Sequence, residues 1–234
     1  MLTSRNILIT GSSRGLGKEL AEHFLRNGDS VFGCSRSDAS INHQNYHHYS
    51  LNIASADEVV AFFFALRKEI KHLDAVINNA GIASMNAFAL TPVESYQQIF
   101  DINVQGTFLF CQKSLGLLKR AANPTIINMT SVAVPLQLEG EAIYAASKSA
   151  VETLTRIIAK EYGGFGITCN AIGPSPIDTS LIKGVPNDKI ANLVNQQSVK
   201  KMATPADVIN LVDFYLRPES RMISGQVIYL GGIS

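Results

Sequence analysis

Tyr144 and Lys148 stand four residues apart in the run Tyr144-Ala145-Ala146-Ser147-Lys148. On a helix that spacing puts both side chains on one face, one turn apart. A phenol ordinarily ionises near pH 10, too high for easy proton exchange at neutral pH, and a nearby ammonium favours the phenolate and lowers that value. The pair can therefore work as an acid/base unit. By itself Tyr-x-x-x-Lys recurs often by chance. Ser131, just past a predicted strand, adds a hydroxyl able to donate to a carbonyl oxygen. Its plain alternative is a strand-end hydroxyl capping a turn, and Thr130 offers the same group.

A second cluster lies near the start of the chain, in Thr10-Gly11-Ser12-Ser13-Arg14-Gly15-Leu16-Gly17. Gly11 allows a tight turn, Gly15 lets backbone approach a pyrophosphate, and Gly17 lets a helix pack closely on a sheet. Ser13, Arg14 and Leu16 complete the turn, and the N–H groups of the following helix favour an anion. A P-loop is excluded, because Gly17-Lys18 is followed by Glu19 and the upstream glycine is misplaced. A carboxylate after the second strand would bind a ribose 2′-OH and repel a 2′-phosphate. That place reads Cys34-Ser35-Arg36-Ser37, with no acid before Asp38. Arg36 and Arg14 there are cations suited to phosphate, so the residues predict NADPH/NADP+ over NADH.

Short apolar strands and amphipathic helices alternate from end to end. Strands are predicted at 6–10, 30–34, 48–51, 74–78, 125–129, 167–171 and 226–230, and helices at 16–27, 55–71, 94–119, 141–162 and 205–216. Ser55-Ala56-Asp57-Glu58 forms a capping box at the head of the second helix, whose Phe62, Phe63 and Phe64 are expected in the core. The pattern predicts α/β architecture: a single doubly wound Rossmann domain over residues 1–234, with a seven-stranded parallel sheet flanked by helices on both faces.

Composition bounds the rest. The 234 residues are 46% hydrophobic and 17% charged with net charge +1, which supplies no global attraction to nucleic acid or an anionic membrane. No apolar run has the length of a transmembrane helix, and the N-terminus lacks the apolar stretch of a signal peptide. Cys34, Cys111 and Cys169 are odd in number and far apart, which fits buried thiols in a reducing cytoplasm. His43, His47 and His48 lie in a polar connector without a Cys or carboxylate at ligand spacing, and read as a solvated loop with no metal.

Taken together, Thr10-Gly11-x-x-x-Gly15-x-Gly17, Asn78-Asn79-Ala80-Gly81, Ser131 and Tyr144-x-x-x-Lys148 resemble the short-chain dehydrogenase/reductase family in order and spacing over essentially the whole chain. The ending Ser224-Gly225-Gln226 to Gly231-Gly232 is similar too. The subgroup it looks most like is the β-ketoacyl-acyl-carrier-protein reductases. The resemblance implies that Tyr144 is the general acid in reduction, that Lys148 binds the nicotinamide ribose and lowers the tyrosine pKa, and that Ser131 orients the carbonyl. It implies that Asn103 supports a water in a proton relay. Asn79, Ala80 and Gly81 would line the adenosine ribose side. Pro174, the Ile177 backbone and Thr179 would hold the nicotinamide end.

Two departures stand out. The family's aspartate after the third strand is replaced in Asn52-Ile53, which can still contact adenine. Its Pro-Gly after the sixth strand is Pro174-Ser175, where a serine would strain a turn that needs positive φ. The expected substrate is a small-molecule carbonyl, a 3-oxoacyl thioester presented on an acyl carrier protein or another ketone, in a pocket walled by residues 83–88, 132–138 and a short loop at about 179–200. Lys119, Arg120, Lys183, Lys200 and Lys201 are the candidate carrier contacts, and Phe165 weakens that reading because carrier-dependent relatives tend to have a basic residue nearby. The competing readings are a sugar-nucleotide epimerase or dehydratase, which needs a further substrate domain, and a nucleotide-sensing regulator, which often lacks the Tyr or Lys. The resemblance also implies a homotetramer, or homodimer, built through the two long helices and the C-terminal strand.

Overall fold

The structure is a computed structural model that describes residues 4–178 and 186–233. In chain order the elements are β1 (Asn6–Thr10), α1 (Gly15–Arg26), β2 (Ser30–Ser35), β3 (Tyr46–Ser50), α2 (Ala56–Glu69), β4 (Ala75–Asn78) and α3 (Val93–Phe100). A π turn, Asp101–Gln105, joins α3 without a break to α4 (Gly106–Leu118). There follow β5 (Thr125–Met129), a short α5 (Ala133–Leu136), α6 (Ala142–Gly163), β6 (Thr168–Gly173), α7 (Asn187–Gln196), α8 (Pro205–Leu216) and β7 (Val227–Tyr229).

All seven strands pair in parallel in the order β3-β2-β1-β4-β5-β6-β7. The chain runs outward from β1 to β3, then crosses to β4 on the other side of β1. This reversal leaves a crevice above the C-terminal ends of β1 and β4, where ligands bind in open α/β sheets.

Alternation along each strand feeds two cores. Leu8, Phe32, Val76 and Ile126 point to one face, where they pack with Phe62, Phe63, Phe110, Leu117 and Ile158 from α2, α4 and α6. Ile7, Ile9, Val31, Ile77 and Ile127 point to the other, against Leu20, Phe24, Val208, Val212 and Tyr215 from α1 and α8. Both faces are covered, so the central strands are mostly apolar, as parallel sheets require, and the buried Asn78, Asn128 and Asn170 among them are hydrogen-bonded.

Several local expectations change. Phe64 is 61% exposed, because three successive helical positions span about 200° of arc and cannot all face one core. Ser55 caps α2 by accepting from the Glu58 N–H, but the Glu58 carboxylate accepts from the Asn52 N–H, leaving the capping box half formed. The third strand begins at Tyr46, so His47 and His48 lie on the sheet edge and not in a solvated loop. α7 occupies part of the stretch expected to be a loop.

Candidate active site

The glycine turn follows β1 directly. The Gly11 N–H donates to the Cys34 carbonyl at 2.7 Å, tying the turn to β2. Gly15 opens α1 with φ +54°, a conformation that strains any residue with a Cβ. At Gly17 a Cβ would lie 2.2 Å from the Gly11 oxygen and 2.5 Å from the Asn79 amide nitrogen, so only glycine lets α1 seat on the turn. The first turn of α1 carries no acidic residue and no side-chain cap, so its N–H groups remain available to an anion.

Asn79 donates to the Thr10 carbonyl at 3.0 Å, and the Ala80 N–H donates to the Thr10 hydroxyl at 2.9 Å. These bonds lock the turn after β4 against the end of β1.

The two turns form one wall of a cleft of about 490 Å³. Of the candidate site residues, Gly11, Ser13, Arg14, Gly15, Leu16, Gly17, Arg36, Asn52, Ile53, Asn79, Ala80, Gly81, Ser131, Tyr144, Lys148, Pro174 and Ile177 all line it. Thr179 falls outside the described residues, as do Leu181 and Lys183. Asn103 does not line the cleft. It is fully buried in the π turn, where both its amide protons are committed, one to the Ile82 carbonyl at 2.9 Å and one to the Ser147 hydroxyl at 3.0 Å. Its amide oxygen accepts from the Ile82 N–H. Asn103 thus pins the loop after β4 to α6, and its side chain has no proton left for a relay water.

The adenosine end fits a phosphorylated dinucleotide. Arg14 and Arg36 flank it, and among the described residues no carboxylate lines that end. Asn52 turns its amide oxygen to the Ala54 N–H at 3.1 Å, so its carbonyl is used locally.

At the other end, the Ser131 hydroxyl accepts from the Ala133 N–H at 3.1 Å, which leaves its proton free to be donated. Tyr144 and Lys148 are 8% and 4% exposed. The Lys148 ammonium donates to the Met129 carbonyl at 2.8 Å and lies 5.9 Å from the centre of the Tyr144 ring. Burial lowers its pKa to about 8. Burial also pushes the Tyr144 phenol up to about 12; the Ser131 hydroxyl opposes this and the Glu141 carboxylate adds to it. The expected lowering by the ammonium is therefore not what the pocket produces. The lysine is bonded to the Met129 carbonyl, and burial is the largest influence on the phenol.

The substrate end is bounded by Ala83, Val132, Ala133, Leu138, Glu141 and Leu193. Val134 and Leu136, expected as walls, do not line it. Ser175 is buried, and Gln137 is the one non-glycine residue at positive φ among the described residues, so the Pro174-Ser175 departure introduces no strain.

Sequence reasoning missed three groups. Glu141 is the only carboxylate lining the cleft among the described residues, and burial raises its pKa. Its place one turn before Tyr144 on a helix was the available signal. Ser147, inside the Tyr-x-x-x-Lys run, donates to the Tyr144 carbonyl at 2.7 Å. Glu152 is buried beneath the site, where it accepts from Thr130 at 2.7 Å and Tyr229 at 2.5 Å. One helical turn past Lys148, it shares the helix face of the motif.

A dinucleotide-sized cleft with an acid, a cation and a carbonyl-directed hydroxyl at one end defines an oxidoreductase working between a CH–OH group and a ketone. A family model described as enoyl-(acyl carrier protein) reductase matches residues 11–233. The chain belongs to the short-chain dehydrogenase/reductase family. It is 27% identical over 237 residues to the 3-oxoacyl-[acyl-carrier-protein] reductase FabG of Vibrio cholerae, covering 99% of this chain and 97% of the relative. The aldohexose dehydrogenase of Thermoplasma acidophilum, solved in ligand-free form, superposes with a TM-score of 0.88 at 27% identity, covering 98% of this chain and 93% of that one. The 3-ketoacyl-(acyl-carrier-protein) reductase of Brucella melitensis, solved with NADH, shares the fold with a TM-score of 0.91 at 23% identity, covering 99% and 98%.

Proposed function

We propose that the protein reduces a ketone to a secondary alcohol with NADPH, and that the ketone is a 3-oxoacyl thioester. The observation that carries this is the placement of Tyr144, Lys148 and Ser131 in the same cleft as the glycine turn and the Arg14–Arg36 pair. When bound, the nicotinamide supplies hydride to the carbonyl carbon. Ser131 donates its free proton to the carbonyl oxygen and orients it. Tyr144, protonated at neutral pH, gives its phenolic proton to the oxygen as alkoxide character develops. Lys148 is charged at pH 7, anchored on the Met129 carbonyl, and stabilises the phenolate left behind. Asn103 keeps the loop at Ile82 in register with α6 and is a positioning residue.

Arg14 and Arg36 support the 2′-phosphorylated cofactor. The acyl-carrier-protein reductase relatives support the thioester and its presentation on a carrier. Among the basic residues that would meet a carrier, the Lys119 ammonium stacks 3.9 Å above the Phe165 ring, which makes it a poor first contact. Phe108 on α4 and Ile157 on α6 are exposed and apolar, supporting a homotetramer formed through these helices. The three buried thiols support a cytoplasmic site. No helix among the described residues is long and apolar enough to cross a membrane.

A second reading, a small hydroxylated ketone or alcohol, is favoured by Glu141, whose carboxylate at the substrate end would accept from a hydroxyl. The test is loss of NADPH absorbance with acetoacetyl-coenzyme A, the same acyl group on acyl carrier protein, and a panel of sugars and polyols. We expect the thioesters to lead. Tyr144→Phe should bind NADPH within twofold of the parent and turn over roughly 10³-fold more slowly. Near-parental turnover in that variant would remove Tyr144 from its role, and absence of turnover across the whole panel would refute the reductase.

A further inference from the structure

Strand β3, whose first residues read as part of a polar histidine connector, carries a hydrogen-bonded chain beneath the adenosine end of the cleft. Residues alternate across β3, so Tyr46 and His48 share the face toward α1, whereas His47 and Tyr49 point to α2. His47 is occupied there, stacked on Phe32 and paired with Glu69 at 2.8 Å.

On the α1 face, the Ser12 hydroxyl lies 2.9 Å from the Tyr46 phenol, and that phenol lies 2.9 Å from His48 Nδ1. His48 Nε2 lies 2.9 Å from the Ser37 carbonyl. A carbonyl only accepts, so Nε2 carries a proton, and in the neutral tautomer that this selects Nδ1 is the acceptor. The direction of the whole chain follows: Ser12 donates to Tyr46, Tyr46 to His48, and His48 to Ser37. The Ser35 hydroxyl also donates to the Ser37 carbonyl, at 2.8 Å.

The two ends of this chain are the two loops that carry the cleft's adenosine-end cations. Ser12 is fully buried inside the glycine turn, two residues before Arg14, and Ser37 follows Arg36. Gly33 shows that the crossing is built into β2. It pairs in register with His48, and a Cβ on it would come within 2.3 Å of the Ser12 oxygen and 2.4 Å of the Tyr46 phenol. Glycine weakens a strand interior, and here it clears the path of the Tyr46 ring.

We propose that Tyr46 and His48 are positioning residues that hold the Arg14 and Arg36 loops at the spacing a 2′-phosphate requires; the inference rests on the NADPH reading. Both arginines are exposed. An arginine on a free loop loses conformational freedom when it closes on phosphate, and anchoring the backbone beside it removes part of that cost.

The experiment is calorimetric binding of 2′,5′-ADP and of 5′-AMP, which differ by the 2′-phosphate, to the full chain and to Tyr46→Phe, His48→Ala and His48→Gln. The parent should prefer 2′,5′-ADP. Tyr46→Phe and His48→Ala should each weaken 2′,5′-ADP about tenfold and leave 5′-AMP within twofold, as loss of one hydrogen-bonded tie implies. His48→Gln keeps a donor toward Ser37 and should recover most of the loss. Equal weakening of both ligands, or none, would overturn the positioning role. A parent that does not prefer 2′,5′-ADP would instead sink the NADPH assignment beneath it.

Discussion

Replacing Lys148 with methionine should make the protein more stable while abolishing its chemistry. The ammonium is 4% exposed and titrates at about 8 where an exposed lysine titrates near 10.5. At about 1.4 kcal/mol per decade, holding it charged at pH 7 costs the fold about 3 kcal/mol. Methionine matches the length and fills the slot without a charge. The change strands the Met129 carbonyl, whose charge-assisted bond to the ammonium is worth about 1.5 kcal/mol. The net gain is therefore about 1.5 kcal/mol, or about 3 °C in Tm at roughly 2.1 cal/mol/K per residue over 234 residues. The gain must depend on pH. Below pH 8 the lysine is charged in both folded and unfolded chains and the whole cost is present. Between 8 and 10.5 the unfolded chain binds the proton more tightly, so the parent gains stability as pH rises. The difference in Tm should shrink to about zero near pH 9.5. Scanning calorimetry of both proteins at equal concentration, at pH 7 and 9.5, decides the matter. A variant that melts below the parent at pH 7, or whose advantage persists unchanged at pH 9.5, refutes the buried ammonium as a source of strain.

Three other outcomes are expected. Arg36→Asp should move the NADPH/NADH ratio of kcat/KM toward NADH on the order of 100-fold, since a charge-assisted bond is lost and a repulsion gained; an unchanged ratio removes Arg36 from the 2′-phosphate site. Glu141→Gln removes the negative charge that helps to raise the Tyr144 pKa, so the Tyr144 phenol, followed by NMR of ring-labelled protein, should titrate at lower pH, and a phenol whose titration stays or moves upward contradicts the coupling. Gly17→Ala, with a Cβ 2.2 Å from backbone oxygen, should push α1 off the glycine turn and weaken dinucleotide binding at least tenfold by fluorescence titration.

What the sequence disclosed was what depends on neighbours along the chain. β5 and α8 lie within the residues expected, because an apolar run between polar turns and a proline at a first helical turn are local signals. Tyr144 and Lys148 share a face for the same reason. The π turn at Asp101–Gln105 was illegible, since one extra residue per turn hardly disturbs a 3.6-residue apolar rhythm. β3 starts two residues before the expected 48–51 because Tyr46-His47-His48-Tyr49 has no apolar alternation; it becomes a strand by pairing with β2. The pKa of Tyr144 was read with the wrong sign. Spacing shows which charge is near, but burial comes from tertiary packing around α6, which the motif does not contain.

Those same distances explain how the labour is divided. On the proposed reading the turns after β1, β2 and β4 would supply backbone and cations to the dinucleotide, and all are braced by bonds to neighbouring strands. The proposed reacting groups come from the end of β5 and the body of α6, a 22-residue helix that Ser147, Asn103 and Glu152 bind to the sheet and to the loop after β4. A rigid helix keeps Tyr144 aimed while the substrate end is made from separate parts: Leu138 and Glu141 ahead of α6, Ala83 after β4, and Leu193 on α7. None of these parts holds the acid or the cofactor in place. Change there can alter which carbonyl is accepted without moving the proton donor, so the chemistry of this chain is legible in its motif and its substrate is written in the walls around it.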